Sequence, residues 1–204
     1  MGRTSNANER LMDAALSLMW EESYGAVTID DICRRAEVKK GSFYYFFSSK
    51  SALAVEALER AWLAQKPAWD DLFSASVAPL ERINRKCRAT YERQKKTKEA
   101  AGKVLGCPLC CLGSEICTQD EGIRAKVREV MARQQRYWES AIRDAQALGQ
   151  IPAGDPADKA ACAIAFYEGM IAHARLHDDA EMLKDLPAQM AEHLRVRDPA
   201  LASA

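Results

Sequence analysis

Apolar residues recur at helical spacing along nearly the whole chain, and nowhere do they alternate for long at the spacing of a strand. Leu11, Ala15, Leu18 and Met19 mark one face of a first helix, and Ile29, Ile32, Cys33 and Ala36 mark a short second one. The same pattern returns in Leu80, Ile83, Cys87 and Tyr91, and again in Ile123, Val127, Val130, Met131, Trp138 and Ile142. No Asn-Gly or Asp-Gly pair offers a hairpin turn. The chain is therefore expected to be all-α.

Helix starts and stops fit that frame. Thr28, with Asp31 three residues on, forms a capping box for the second helix, and Gly25 is expected to end the first in a left-handed conformation. The connection Glu37 to Gly41 leads to a third short helix over 42–46. Ser48 or Ser49 caps a fourth helix that runs to about Lys66 and is stopped by Pro67. Longer helices follow from Pro79 to about Lys98, from Glu121 to Leu148, and from a cap at Asp155-Pro156 to about His177. Gly149 closes the second of these, and a last helix covers 186–194.

With 204 residues, 48% of them apolar, the chain can bury a substantial core. Its formal net charge is zero, so a nucleic-acid partner has to be met by a local cluster of cations. No apolar run is long enough to span a membrane, and the first ten residues lack the apolar segment of a signal peptide. A cytoplasmic protein with no membrane partner is expected. Seven cysteines in a reducing compartment are core fillers, metal ligands or reactive thiols, and Cys33, Cys87 and Cys162 are read as core.

The missing cations are found around the third helix. Between Arg34 and Lys50 stand five basic residues (Arg34, Arg35, Lys39, Lys40, Lys50) and one acid, Glu37. Two helices joined by a turn of three or four residues can lay the second one in the major groove. Tyr44 and Tyr45 offer hydroxyls to phosphate oxygens, and Ser42 reaches a phosphate or a base edge. Gly41 lets two backbones approach closely, and the helix N-terminus favours a phosphate. Phe43, Phe46 and Phe47 are read as core, and Arg3 as a tail or a minor-groove arm.

The stretch from Val27 to Leu53 resembles the TetR family of bacterial repressors. Thr28 opens the second helix, Ile32 centres its apolar face, and Lys40-Gly41-Ser42 opens the recognition helix. The aromatic cluster Phe43 to Phe47 and the Ser49-Lys50-Ser51-Ala52-Leu53 unit complete the match. The resemblance implies DNA contacts at Thr28, Lys40, Gly41, Ser42, Tyr44, Tyr45 and Lys50. Two positions depart from it. Lys39 stands where a small hydroxyl residue usually caps the recognition helix and can supply a phosphate or base contact instead. Tyr45 stands where histidine is frequent. Both bear on operator sequence. The resemblance also implies an N-terminal helix-turn-helix domain (1–53) and a larger C-terminal helical domain (54–204) for ligand binding and dimerisation.

A second informative stretch runs from Gly106 to Cys117 and holds Cys107, Cys110, Cys111 and Cys117. On one helix all four would fall in a stripe roughly 120° wide. They read as a core stripe, as thiol sensors, or as a soft-metal site. The last lacks a second matching cysteine pair, so no metal and no cofactor are assigned. Cations from Arg82 to Lys103 precede the stretch, a run that is usually a solvated face but can activate a thiol. His173 and His177 have a metal-compatible spacing without a third ligand. Trp62, Trp69, Trp138, Phe166, Tyr167 and Met170 line an apolar ligand pocket or simply pack.

The expected protein is a homodimeric repressor of double-stranded operator DNA, not an enzyme. A small apolar ligand or a thiol-reactive effector would set its affinity. Two rivals fail on the residues. A thiol oxidoreductase using Cys107-Pro108-Leu109-Cys110 lacks the βαβ pattern, and a helical adaptor leaves the Lys-Gly-Ser aromatic cluster unexplained.

Overall fold

The computed structural model describes residues 6–197, and among them it contains nine α-helices and no strand. In chain order they are α1 (Ala7–Glu21), α2 (Ile29–Ala36), α3 (Lys40–Phe46), α4 (Lys50–Leu72), α5 (Pro79–Ala101), α6 (Pro108–Ile116), α7 (Glu121–Ala147), α8 (Pro156–Leu176) and α9 (Leu186–Leu194). A single 3₁₀ turn, Ala180–Leu183, precedes α9 and was not legible in the pattern. Arg3 lies outside the described residues.

The chain forms two compact units. The first joins residues up to 65 with 108–130, and the second joins 66–107 with residues from 131 on. The compact units do not follow chain order, since α6 and the start of α7 group with the N-terminal helices. In the first unit α1 packs on α2, α3 and α6. Leu11, Ala15, Ile32, Phe43 and Leu53 are fully buried there, and each of the four large side chains contributes about 1.5–3 kcal/mol. In the second unit α5 and α8 pack on the 3₁₀ turn and α9, around Ile83, Trp138, Ile171, Leu183 and Leu186.

Three local expectations are corrected. Pro67 does not stop α4, which continues to Leu72. The carbonyl left without a donor is that of exposed Leu63, where water can serve it, and the extra turn buries Trp69 ahead of Phe73. Gly25 does not terminate α1 in a left-handed conformation; the helix ends at Glu21, and Gly25 is needed for a close approach described below. Cys162 is exposed rather than core, whereas Cys33 and Cys87 are buried. In α8 the buried positions are Ala160, Ala163, Tyr167, Ile171 and Ala174, and Cys162 lies off that stripe.

Candidate nucleic-acid interface

The α2–turn–α3 unit is set by its caps. Thr28 Oγ1 accepts from the Asp31 amide at 3.2 Å, and the Thr28 amide donates to Asp31 Oδ2 at 3.0 Å. The Thr28 hydroxyl proton goes to the same carboxylate oxygen at 2.5 Å. These bonds hold the Asp31 carboxyl below the usual range. The turn then needs one left-handed residue, and Glu37 supplies it at φ 54°. Its amide donates back to Arg34 and Cys33, and the Val38 amide donates to Cys33 at 2.9 Å. α3 starts without a side-chain cap, as the lysine at its N-cap position, Lys39, requires.

α3 is anchored from behind and open in front. Phe43 and Phe47 are buried, and Phe43 meets the Tyr44 ring edge-on at 5.2 Å. Tyr44 is 55% exposed and Tyr45 79%, unusual for large rings unless something covers them. Phe46, read as core, is half-buried and packs edge-on against Tyr45 at 4.9 Å. Lys39, Lys40 and Gly41 are exposed, and Ser42 is half-buried. A Cβ built on Gly41 would meet nothing within 4 Å, so nothing inside the chain demands glycine there. A cleft of about 460 Å³ opens beside this face, lined by Arg10, Lys39, Gly41, Ser42, Tyr45 and Phe46 among others.

The local positive field is smaller than the count of cations suggested. Lys40 pairs with Asp30 at 2.8 Å, Arg34 with Asp31 at 3.1 Å and Arg35 with Glu21 at 3.2 Å. The Asp30 carboxylate raises the Lys40 pKa and keeps it charged. These are exposed pairs that exchange at little cost, so a phosphate can take the cations over. Lys39 makes no ion pair among the described residues.

Two of the expected contacts are occupied with internal duties. Thr28 is exposed, but its hydroxyl and amide protons are both committed to Asp31. Lys50 is half-buried; its Nζ donates to the carbonyls of Tyr24 at 2.7 Å and Val27 at 2.8 Å, and lies 4.2 Å from the Tyr24 ring centroid. Burial lowers its pKa, partly offset by Glu115. Its charge holds the loop that enters α2 rather than facing outward.

That loop is held from a second side. Glu115 of α6 accepts the Tyr24 amide at 2.8 Å and the Gly25 amide at 2.7 Å, one on each carboxylate oxygen. A Cβ on Gly25 would sit 3.2 Å from Glu115 Oε1, which explains the glycine. Sequence reasoning missed Arg10 and Glu115. Arg10 reads as the polar face of α1, and Glu115 pairs across 90 residues with no local signal.

The four cysteines do not share one helix. Cys110 and Cys111 lie in α6, while Cys107 precedes Pro108 and Cys117 follows Ile116. All four are half-buried. Burial raises the Cys117 thiol, and it pushes the Cys87 thiol up to about 12. The cation run of α5 is not wholly a solvated face, since Arg82 and Lys86 are buried. His173 and His177 are exposed, their rings 6.2 Å apart, and no third metal-ligating side chain joins them among the described residues.

Comparison with known proteins settles what this arrangement belongs to. Residues 11–57 match the model of bacterial regulatory proteins of the tetR family, and 79–190 match that of the tetracyclin repressor-like C-terminal domain. The chain belongs to the TetR family. It is 30% identical over 197 residues to the transcriptional regulator AcuR of Cereibacter sphaeroides, covering 95% of this chain and 87% of that one. The HTH-type transcriptional repressor NemR of Escherichia coli is 26% identical over 120 residues, 59% of each chain. Among solved structures, a regulatory protein TetR from Rhodobacter sphaeroides superposes with a TM-score of 0.80 at 29% identity, covering 93% of this chain and 99% of that one. Reduced NemR gives 0.78 at 22% identity, covering 94% and 100%. TetR-family proteins are DNA-binding transcriptional regulators, not enzymes. No helix among the described residues is long and apolar enough to cross a membrane.

Proposed function

We propose that this TetR-family regulator is a homodimeric repressor whose operator affinity is set by a small apolar ligand or by cysteine modification. Residues 1–53 would read DNA, and 54–204 would sense and dimerise. The single observation that carries the DNA reading is α3 itself, with Lys39, Lys40, Gly41, Tyr44 and Tyr45 exposed and Ser42 half-buried among the described residues. Lys39, Lys40 and Tyr45 would take phosphates, and Ser42 and Tyr44 would reach base edges or the adjoining backbone. Arg10 joins them from α1. Thr28 and Lys50 act one step back, by fixing the entry of α2.

The thiol reading has a physical route to DNA. Cys110 and Cys111 share α6 with Glu115, whose carboxylate holds the loop before α2. A modified thiol that displaces α6 would release that loop and loosen α2 and α3. The apolar-ligand reading rests on the aromatic cluster of the second unit, where Trp69, Phe73, Tyr137, Trp138 and Tyr167 form a chain of ring contacts between 5.3 and 5.9 Å. Trp62 lies outside that unit, and Phe166 stacks instead on His193 at 4.7 Å.

Binding of the reduced protein to the DNA upstream of its own gene, repeated after thiol alkylation, tests both. Tight, salt-sensitive binding is expected. Its loss on alkylation with the helical content intact supports the thiol switch. A Cys107→Ser protein that responds identically removes Cys107 from it. Survival of binding returns the cysteines to packing. No sequence-specific binding in any state overturns the DNA reading.

A further inference from the structure

α5 carries a buried lysine with no ion-paired counter-charge among the described residues. Lys86 is 7% exposed, yet among the described residues its ammonium makes no hydrogen bond and no ion pair. It lies 4.0 Å from the ring centroid of Trp69 and 5.7 Å from that of Tyr167. Two helical turns on, Arg93 has a buried Nε without a hydrogen-bond partner. Positions 86, 90 and 93 share one face of α5, and Thr90 between them is bonded to Tyr167 at 2.5 Å. Glu168 is the carboxylate of this neighbourhood, and Cys107 borders it.

A buried charge without a counter-charge is costly, and a protein retains one where something else supplies the partner. With Lys86 protonated, two cations stand beside one carboxylate, an excess of one positive charge. The rings of Trp69 and Tyr167 give the ammonium cation–π contact and apolar surroundings but no negative charge. We propose that Lys86 and Arg93, with Trp69 and Tyr167, form the effector site of this regulator, and that its ligand is a small monocarboxylate with an apolar body. The carboxylate lies against Lys86 Nζ and Arg93 Nε, and the hydrocarbon lies against the rings. This deepens the ligand-responsive reading above and rests on it only for the consequence at DNA.

The state of Lys86 agrees with a site awaiting an anion. Desolvation, with Arg93 nearby, lowers its pKa to about 7, while Cys107, Glu168 and Cys87 act weakly the other way. A bound carboxylate favours the charged amine, so binding above pH 7 takes up a proton. Affinity should then fall by up to tenfold per pH unit above 7.

The test is calorimetric titration of the full-length protein, without DNA, by butanoate, hexanoate and octanoate and by the corresponding primary amides. Saturable binding of at least one acid, at least tenfold tighter than its amide and accompanied by proton uptake at pH 8, is expected. Lys86→Met should weaken it at least tenfold, while Lys86→Arg retains part of it. Because Lys86→Met removes a buried charge, it should fold with unchanged helical content; Arg93→Gln gives a second variant with the same expectation. Acid and amide binding alike, an unchanged affinity in both variants, or no binding of any acid overturns the proposal. Operator binding by the ligand-free protein is measured separately, so loss of the effector site and loss of the repressor reading are told apart.

Discussion

Lys40 and Lys50 are both lysines of the family motif, and they use their charge in opposite ways. Lys40 is exposed and paired with Asp30, an arrangement that a phosphate can replace. Lys40→Ala should weaken operator binding roughly tenfold and reduce the salt dependence by about one counterion per site, with the fold intact. Lys50→Met removes a donor from two carbonyls instead. It should cost about 1–3 kcal/mol of stability and leave the salt slope unchanged. Salt-titrated binding and thermal melts of both variants separate the two roles. Lys86 gives a third expectation. Its folded pKa, about 7, lies below its unfolded value, so between pH 7 and 10.5 the unfolded chain binds more protons and stability rises with pH. Lys86→Met should abolish that rise, which denaturation at pH 6 and pH 9 checks; a slope equal to that of the parent protein would show that Lys86 is not its source.

Among the helices, α6 carries two of the thiols and also the carboxylate that holds the loop before α2. Its two half-buried cysteines and Glu115 lie within nine residues of helix. Glu115→Ala leaves the Tyr24 and Gly25 amides to water and removes the grip on the loop before α2. Operator affinity should drop, and alkylation should then have little further effect, as a band-shift comparison of the two proteins shows. A full alkylation response in Glu115→Ala would mean that the signal travels by another route. The same helix shows where sequence reading stops. Capping at Thr28 and Asp31, the breaks at Gly149 and Asp155, and the helical periods are local chemistry, and so the all-α fold and the short third helix could be read directly. Glu115 and Gly25 meet through tertiary structure across 90 residues, with no local signal to pair them. Pro67 misled because a proline inside a helix is tolerated where the orphaned carbonyl reaches water and the next turn has Trp69 to bury. Cys162 misled because composition favours burial for cysteine, whereas the helical face decides it.

Taken as a whole, a single chain leaves one surface of α8 unexplained. Ala161, Cys162, Ala165, Gly169, Ala172 and Leu176 are all exposed, and Leu176 reaches 79%. Five of these are small, at helical spacings that let another helix approach closely, and Leu176 would be an anchor at the end. TetR-family regulators typically dimerise, and this face has the composition for such a contact. Gly169 provides the sharp test. A Cβ there meets nothing within 4 Å, and its φ lies outside the left-handed region, so a lone chain would accept any side chain. Gly169→Arg should therefore keep, or raise by about 1 kcal/mol, the intrinsic helix stability. In a close-packed helical interface the same arginine has no room and brings a like charge from each partner. Sedimentation should show a monomer with unchanged helical content. Operator affinity should fall about 10²–10⁴-fold, because two half-sites would no longer be bound through one linked molecule. A Gly169→Arg protein that remains dimeric would move the interface off this face of α8, and one that is monomeric yet binds its operator unchanged would remove dimerisation from the mechanism.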